Sequence, residues 1–493
     1  MKKPNILFIL SDDQGYWATG KHDREIISPN LNRLSDKGVT FDNFFCVSPV
    51  CSPARLSIFT GKIPSAHGVH DWIAKGHIDS KHLSDDLKEN FANENCPEEY
   101  NWPRNQLSND TARMYLNSQR CFTNALADNG YDCSIIGKWH MGESEVPQAG
   151  FTDFRTLAMG GDNYMFPVIC KDGVVSMLKH KYVTDYVTEN AVEMIQSHPK
   201  DKPFYLSVHY TAPHAPWDKE QHPKEIYDMY EYCDFTATPN VPIHKDADIY
   251  GMNDEDYKAY RIKCLRGYYT AITGMDIGIG KILDTLEAQN ELDNTIIVFT
   301  ADNGMSMGHH GIFGKGNGTY PMNMYDTAVK VPMIVSYPKQ FKSGFKTKAL
   351  CSHYDIYPTL MDLLDIKTED LSKLPGSSFK EILLGNDNTG NESVVVYDEY
   401  GPVRMIRTHN YKYIRRFTID NYDEFYDLKA DPDELNNCID KPEFADIINT
   451  MKNELEEWFN KYSVPQYDGK YLDVHGIGQI EMLDGDTNKQ LFK

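Results

Sequence analysis

Two apolar runs of this chain end in acidic clusters. Asn5 to Leu10 leads into Ser11-Asp12-Asp13-Gln14-Gly15, and Thr295 to Thr300 leads into Ala301-Asp302-Asn303-Gly304. In open α/β sheets, ligands bind beyond the carboxyl ends of the strands. Neighbouring strands would therefore bring Asp12, Asp13, Asp302 and Asn303 together. Four oxygen donors without Cys or His suit a hard cation, Ca²⁺ or Mg²⁺, rather than zinc. Three uncompensated carboxylates in one pocket would repel, and that repulsion asks for a divalent cation. Asp and Asn also form turns after strands. For either cluster alone a turn is the simpler reading; the two together argue for a metal site.

The most informative stretch is Cys51-Ser52-Pro53-Ala54-Arg55-Leu56-Ser57-Ile58-Phe59-Thr60-Gly61-Lys62. A lone cysteine is ordinarily a small buried hydrophobe, but here it opens a Cys-x-Pro-x-Arg pattern followed by a short apolar run and Thr-Gly. With that extension the chain resembles the formylglycine-dependent (type I) sulfatases of the alkaline phosphatase superfamily. The resemblance continues in order through Asp12-Asp13-Gln14-Gly15, Gly137-Lys138-Trp139-His140, Ala212-Pro213-His214-Ala215-Pro216, Asp302-Asn303-Gly304, Gly314-Lys315-Gly316, Asp355-Ile356-Tyr357-Pro358-Thr359 and Phe425-Tyr426-Asp427-Leu428.

The resemblance implies that a separate maturation enzyme oxidises Cys51 to a formylglycine aldehyde. Its hydrate can attack sulfur with one oxygen and expel sulfate by collapsing through the other, which a thiol cannot do. It also implies that Asp12, Asp13, Asp302 and Asn303, with residue 51, hold calcium, magnesium being the alternative. Arg55 would steady the hydrate. Lys138 and Lys315 would neutralise sulfate oxygens. His214 would be the acid for the departing alcohol, with Lys315 able to share that task, and His140 the base that releases sulfate.

These residues must be positioned by an α/β layer structure. Strand-like runs cover 5–10, 40–45, 133–136, 204–209, 295–300 and 331–337. They alternate with helical patterns over about 111–129, 182–198, 258–289 and 356–364. Such alternation implies a large mixed, mostly parallel sheet sandwiched by helices, and the resemblance implies the alkaline phosphatase-like form of it. Residues 1–375 read as a catalytic domain and 376–393 as a connecting segment. Residues 394–493 read as a C-terminal α+β subdomain, with short strands at 394–400, 403–408 and 411–417. One amphipathic helix follows, marked by Ile447, Ile448, Met451, Leu455, Trp458 and Phe459. The tail after Pro465 carries no assignable pattern.

Composition bounds the partners. The 493 residues include 50 Lys and Arg against 72 Asp and Glu, a formal net charge of −22. That field disfavours nucleic acid and anionic membranes, and no apolar run approaches the length of a span. Ten scattered cysteines without a CxxC pair suit a reducing compartment. The run after Lys2 and Lys3 is too short for a signal segment, so the expectation is a cytoplasmic enzyme. Its substrate would then be a small sulfated saccharide cleaved in exo fashion. Trp72 and Trp217, like Trp102, lie in or beside loops where an indole could stack on a sugar. His310, in Gly308-His309-His310-Gly311, is a candidate for the pocket rim. Two rivals remain at this stage: a phosphonate monoester or phosphodiester hydrolase of the same superfamily, and a non-catalytic binder of sulfated glycans. Oligomeric state is not legible.

Overall fold

The computed structural model describes residues 3–116, 119–247, 254–398, 402–417, 422–472, 474, 476–483 and 490–492. Its strands are β1 (Asn5–Ser11), β2 (Val39–Phe45), β3 (Asp132–Lys138), β4 (Asp153–Leu157), β5 (Val168–Lys171), β6 (Val174–Met177), β7 (Phe204–His209), β8 (Thr295–Ala301), β9 (Ser306–Met307), β10 (Phe313–Gly314), β11 (Lys330–Ser336) and β12 (Phe345–Ser352). A second group comprises β13 (Val394–Asp398), β14 (Val403–Arg407), β15 (Tyr411–Arg416) and β16 (Glu424–Asp427).

Ten strands form one sheet in the order β12-β2-β11-β8-β1-β7-β3-β4-β5-β6. Five neighbouring pairs are parallel and four antiparallel, so the sheet is mixed with a parallel centre. The central strand β1 is buried at all seven positions, as a strand covered on both faces must be. Its side chains alternate between two cores. Ile6, Phe8 and Leu10 meet Leu56, Phe59, Phe122 and Leu360 from helices Cys51–Thr60, Phe122–Asp128 and Ile356–Leu363. Leu7 and Ile9 meet Val187, Met275, Ile279 and Ile282 from helices Val183–Ser197 and Asp254–Ala288 on the opposite face.

The second sheet is an antiparallel meander, β13-β14-β15-β16. Helix Ala445–Tyr462 covers it with Met451, Leu455 and Phe459, the stripe its periodicity predicts, against Tyr397, Ile406, Tyr413 and Phe425. Past this helix the chain returns to the large domain, where Gln479 bridges Ile73.

One local expectation fails, and two elements were not foreseen. The helix expected over 111–129 is formed only at Phe122–Asp128. Upstream, Arg113 donates its amide to Gly76 O and accepts from Glu143 N, and Met114 bridges Gly142, so neighbouring chain takes up this backbone. Helix Cys51–Thr60 and strand β12 escaped the sequence patterns. The helix is buried at all ten positions and so has no polar face to reveal a period. Among the described residues, no helix is long and apolar enough to cross a membrane.

Candidate active site

The carboxyl ends of the parallel strands build the site. β1 and β8 pair in register up to Ser11 and Ala301, so the residues that follow, Asp12-Asp13 and Asp302-Asn303, are adjacent. Asp302 N donates to Ser11 O and Asp12 N to Ala212 O, at 3.1 Å each. Asp13 adopts φ +58°, a left-handed conformation that Asp tolerates better than most residues. It donates its amide to Asp302 Oδ1 at 3.1 Å. Lys138 ends β3, and His140 follows with φ +54°. His214 follows β7, and Lys315 follows the β9–β10 hairpin. Cys51 is the first residue of its helix. Cys51 Sγ lies within 4.8 Å of ligand atoms of Asp12 and Asp302 in one triad, and of Asp13 and His214 in another.

The sequence argument from uncompensated charge does not hold. Each carboxylate has its own cation. Lys138 Nζ donates to Asp12 Oδ2, Lys315 Nζ to Asp13 Oδ1 at 2.6 Å, and Arg55 Nε to Asp302 Oδ2 at 2.9 Å. The four oxygen donors still fit a hard cation, for a different reason. Among the described residues, Asp12 Oδ1, to which Arg55 Nη2 comes no nearer than 3.8 Å, and Asn303 Oδ1 are buried acceptors with no hydrogen-bond donor, a costly arrangement unless something positive meets them more closely. Burial and the neighbouring Asp302 push the Asp12 carboxyl up to about 6. Burial alone would also raise Asp302, but Arg55 holds it well below the usual carboxylate range. Asp13 is drawn down against its burial by Lys315 and His214.

The Cys51 thiol is pushed up to about 11 by burial, despite Lys138 and Lys315. Lys315 Nζ is 3.1 Å from its sulfur. As a thiol this residue stays protonated near neutral pH, a poor nucleophile. His140 Nε2 donates to Ile73 O at 3.0 Å. Its Nδ1 is buried without a partner, and burial with the nearby Lys138 keeps the ring well below ordinary histidine basicity. The ring is therefore neutral, with Nδ1 as a vacant acceptor. His214 Nδ1 donates to Ala215 O at 2.7 Å, which leaves Nε2, 3.6 Å from Asp13 Oδ2, as the atom able to carry a proton into the cleft. Arg55 is fully buried. Its Nη1 donates to Lys138 O at 2.9 Å, so it ties the ends of β3 and β8 to the Cys51 helix.

Cys51, His140, His214 and Lys315 share a cleft of about 230 Å³ with Trp72 and Trp102. Trp102 is 51% exposed and stands at the solvent edge. The cleft also takes His77, Gln106, Met159, Gly160, Gly161 and Asn317, which the sequence reading missed. Gln106 lies in the short helix Asn101–Leu107 and Asn317 in the single turn Gly316–Gly318, while the others lie in loops; none sits in an element long enough to show a period, and only for His77 and Gln106 was there a signal, the unusual length of the polar stretch 70–110.

Two expected substrate contacts lie elsewhere. Trp217 is interior packing: its indole Nε1 donates to Pro213 O at 2.9 Å, and its ring meets Tyr268 edge-on. Gly267 is pressed against it, where a Cβ would come within 2.2 Å of Trp217 O. His310 does not reach the rim of the Cys51 cleft. Its ring stacks on Tyr325 at 3.8 Å and lines a separate cavity of about 1000 Å³ beside Arg416 and Tyr426 of the C-terminal region.

The sulfatase family profile matches residues 4–366, and that of the N-sulphoglucosamine sulphohydrolase C-terminal region matches 308–461. The chain is 26% identical to an N-acetylglucosamine-6-O-sulfatase of Bacteroides thetaiotaomicron, over 94% of this chain and 87% of that protein. It is 28% identical to an ulvan-active sulfatase of Formosa agariphila, over 93% and 81%. A chain solved in complex with its substrate D-glucosamine-2-N,6-O-disulfate superposes with a TM-score of 0.73 at 26% identity, covering 94% of this chain and 98% of that one.

Proposed function

The chain belongs to the sulfatase family of sulfuric ester hydrolases, and from that premise we propose that it removes sulfate from a small saccharide in exo fashion, a 6-O-sulfated hexosamine being the first candidate. The observation that carries this reading is the convergence of Cys51, three carboxylates, two lysines and two histidines at one cleft edged by Trp72 and Trp102. The saccharide class rests on the names of similar proteins and on the cleft itself. At about 230 Å³ it falls below the range of drug-sized ligand sites and suits a single ring with its sulfate.

The family uses a formylglycine and a divalent cation. We assign residue 51 as the formylglycine and calcium as the cation, held by Asp12, Asp13, Asp302 and Asn303, with magnesium as the alternative. The cation would supply Lewis acidity toward a sulfate oxygen, and the oxidised residue 51 would supply the nucleophilic oxygen. The chain's own groups do the rest. Lys315, within hydrogen-bond reach of residue 51, and Lys138 exchange their carboxylate partners for sulfate oxygens as charge redistributes. Arg55 fixes Asp302 and the start of the Cys51 helix. His214 Nε2 delivers a proton to the departing sugar oxygen, and His140 Nδ1 accepts one when sulfate is released. The ten scattered cysteines, without a CxxC pair, support placing the protein in a reducing compartment.

The test is sulfate release from D-glucosamine 6-sulfate by protein made in a host with the maturation enzyme, alongside mass spectrometry of the peptide containing residue 51. The reading expects turnover and an aldehyde or hydrate at residue 51. Paired kinetics on nitrophenyl sulfate and nitrophenyl phosphate separate it from phosphoester hydrolysis; a higher kcat/KM on phosphate would overturn it.

A further inference from the structure

The segment after the last helix had no assignable role in the sequence. In the structure it returns to the cleft from behind. Gln479 lies beside Ile73 as a parallel bridge. Its backbone amide donates to Trp72 O, and its carbonyl accepts from Ala74 N, at 2.8 Å each. Its side chain is buried and fully used: Oε1 accepts from His70 N at 2.8 Å, and Nε2 donates to Gly68 O and Glu481 O. Gly478 donates its amide to Asp71 Oδ2 at 2.9 Å. Trp72 Nε1 donates to Gly476 O at 3.0 Å. Gly478 has φ +103°, and a Cβ there would meet Ala74 Cβ at 2.6 Å and the Trp72 indole at 2.9 Å. Only glycine suits both that backbone and that contact.

The segment 72–74 is thus shared between two sides. In extended backbone, successive residues turn their amide and carbonyl groups to opposite sides. Ile73 turns toward the chemistry: its amide donates to Ser52 Oγ, next to Cys51, and its carbonyl accepts from His140. Trp72 O and Ala74 N turn toward Gln479. The Trp72 indole, which lines the cleft, is held on its far side by Gly476 and Gly478.

We propose that the C-terminal segment Gly476–Gln479 is a positioning element that sets the Trp72 wall of the cleft and so helps determine which sugar is accepted; this rests on the sulfatase reading above. Ser52 and His140 keep their own hold on Ile73, so the segment governs leaving-group binding more than the sulfate pocket. Gln479→Ala should raise KM for a saccharide sulfate by about tenfold with a smaller change in kcat, the pattern of lost binding common to ground and transition states. The inhibition constant for inorganic sulfate, which needs no Trp72 wall, should stay within about twofold. Gln479→Glu, which keeps the acceptor for His70 N but sets a buried carboxylate oxygen against the carbonyls of Gly68 and Glu481, should not recover the loss. Trp72→Phe should raise the same KM, and the double variant should fall short of the product of the two effects, because both act on one wall.

Equal losses for saccharide and inorganic sulfate would mark a general structural role and overturn the proposal, as would additive single variants. Should the wild type release no sulfate from any ester, the functional reading fails and this one is judged separately by hydrogen exchange. The amides of His70 and Ala74 should be protected in the wild type and lose protection in Gln479→Ala, while those of β1 keep theirs. Unchanged protection at His70 and Ala74 would end the idea.

Discussion

At the scale of single residues, the two histidines are separated by what holds their second nitrogen. His140 gives its Nε2 proton to Ile73 O and keeps a bare Nδ1; His214 gives its Nδ1 proton to Ala215 O and turns Nε2 toward Asp13. One ring keeps a bare nitrogen that can accept a proton, and the other turns its remaining nitrogen toward the cleft beside Asp13. His214→Ala should therefore depend on the leaving group. Loss of an acid of this kind typically costs a factor of about 100 or more where the alcohol is poor. A nitrophenyl sulfate, which departs without help, should lose less than about tenfold. Equal losses on the two substrates would remove His214 from this role. The orphaned oxygens of Asp12 and Asn303 make a second prediction at this scale. Removing divalent cations with a chelator should abolish turnover and lower the unfolding midpoint, with calcium restoring both. At a hundredfold excess over its dissociation constant, a cation bound only to the folded state contributes about 2.7 kcal/mol. Full stability and activity after exhaustive chelation would show that Lys138, Lys315 and Arg55 neutralise the carboxylates unaided.

At the scale of elements, legibility followed periodicity. β1, β7 and β8 were readable because a strand buried on both faces is a continuous apolar run. Helix Ala445–Tyr462 was readable because one face is wet. The site motifs at 12–13, 51–55, 138–140, 214, 302–303 and 315 were readable because they resemble a family. The loops that shape the cleft were not. Their conformations are fixed by distant partners, as when Gly76, His77 and Ile78 all donate amides to Asp110, and no local pattern announces such a partner. Asp162 shows the same thing in the loop that carries Gly160 and Gly161. Its carboxyl is buried, accepts the amides of Asn163 and Val168, and is pushed up to about 8 by burial. A carboxyl whose folded pKa lies above its unfolded value favours folding fully only below the unfolded value. That contribution is lost as pH rises toward the folded one. The window here runs from the ordinary aspartate value of 3.8 to about 8, with a slope of up to about 1.4 kcal/mol per pH unit. Asp162→Asn cannot titrate, so its urea midpoint should vary less with pH across that window than the wild type's, whatever its absolute stability. Parallel curves would mean that Asp162 stays ionised in the fold.

At the scale of the whole molecule, the net charge of −22 conceals a buried cluster that joins the two sheets. Lys412 on β15 is fully buried. It donates to Met324 O at 2.8 Å and to Asp326 Oδ1 at 2.7 Å, and pairs with Glu434. Arg407 on β14 reaches Asp326 Oδ2 at 3.2 Å, and Glu434 Oε2 accepts the Asp326 amide at 2.7 Å. Asp326 precedes β11 of the large sheet, so strands of the small sheet are ionically tied to the large one. Burial would raise Asp326, yet Arg407 and Lys412 hold it well below the usual carboxylate range. Glu434, with less compensation, is pushed up to about 7 by burial. Removing one partner from such a cluster leaves an unpaired buried charge, which costs about 3–5 kcal/mol, whereas removing both can be nearly neutral. Lys412→Met, close in volume, should therefore strongly destabilise the protein near neutral pH. Adding Glu434→Gln should recover a part of the loss, because the carboxylate left unpaired is then gone. The sign of the pH effect follows as well. Below the folded pKa of Glu434 the carboxyl is protonated and tolerates the missing lysine, so the penalty of Lys412→Met should shrink as pH falls from about 8 to about 5. A penalty under about 1 kcal/mol, flat across that range, would mean that apolar contact alone joins the sheets and that the cluster merely fills space between them.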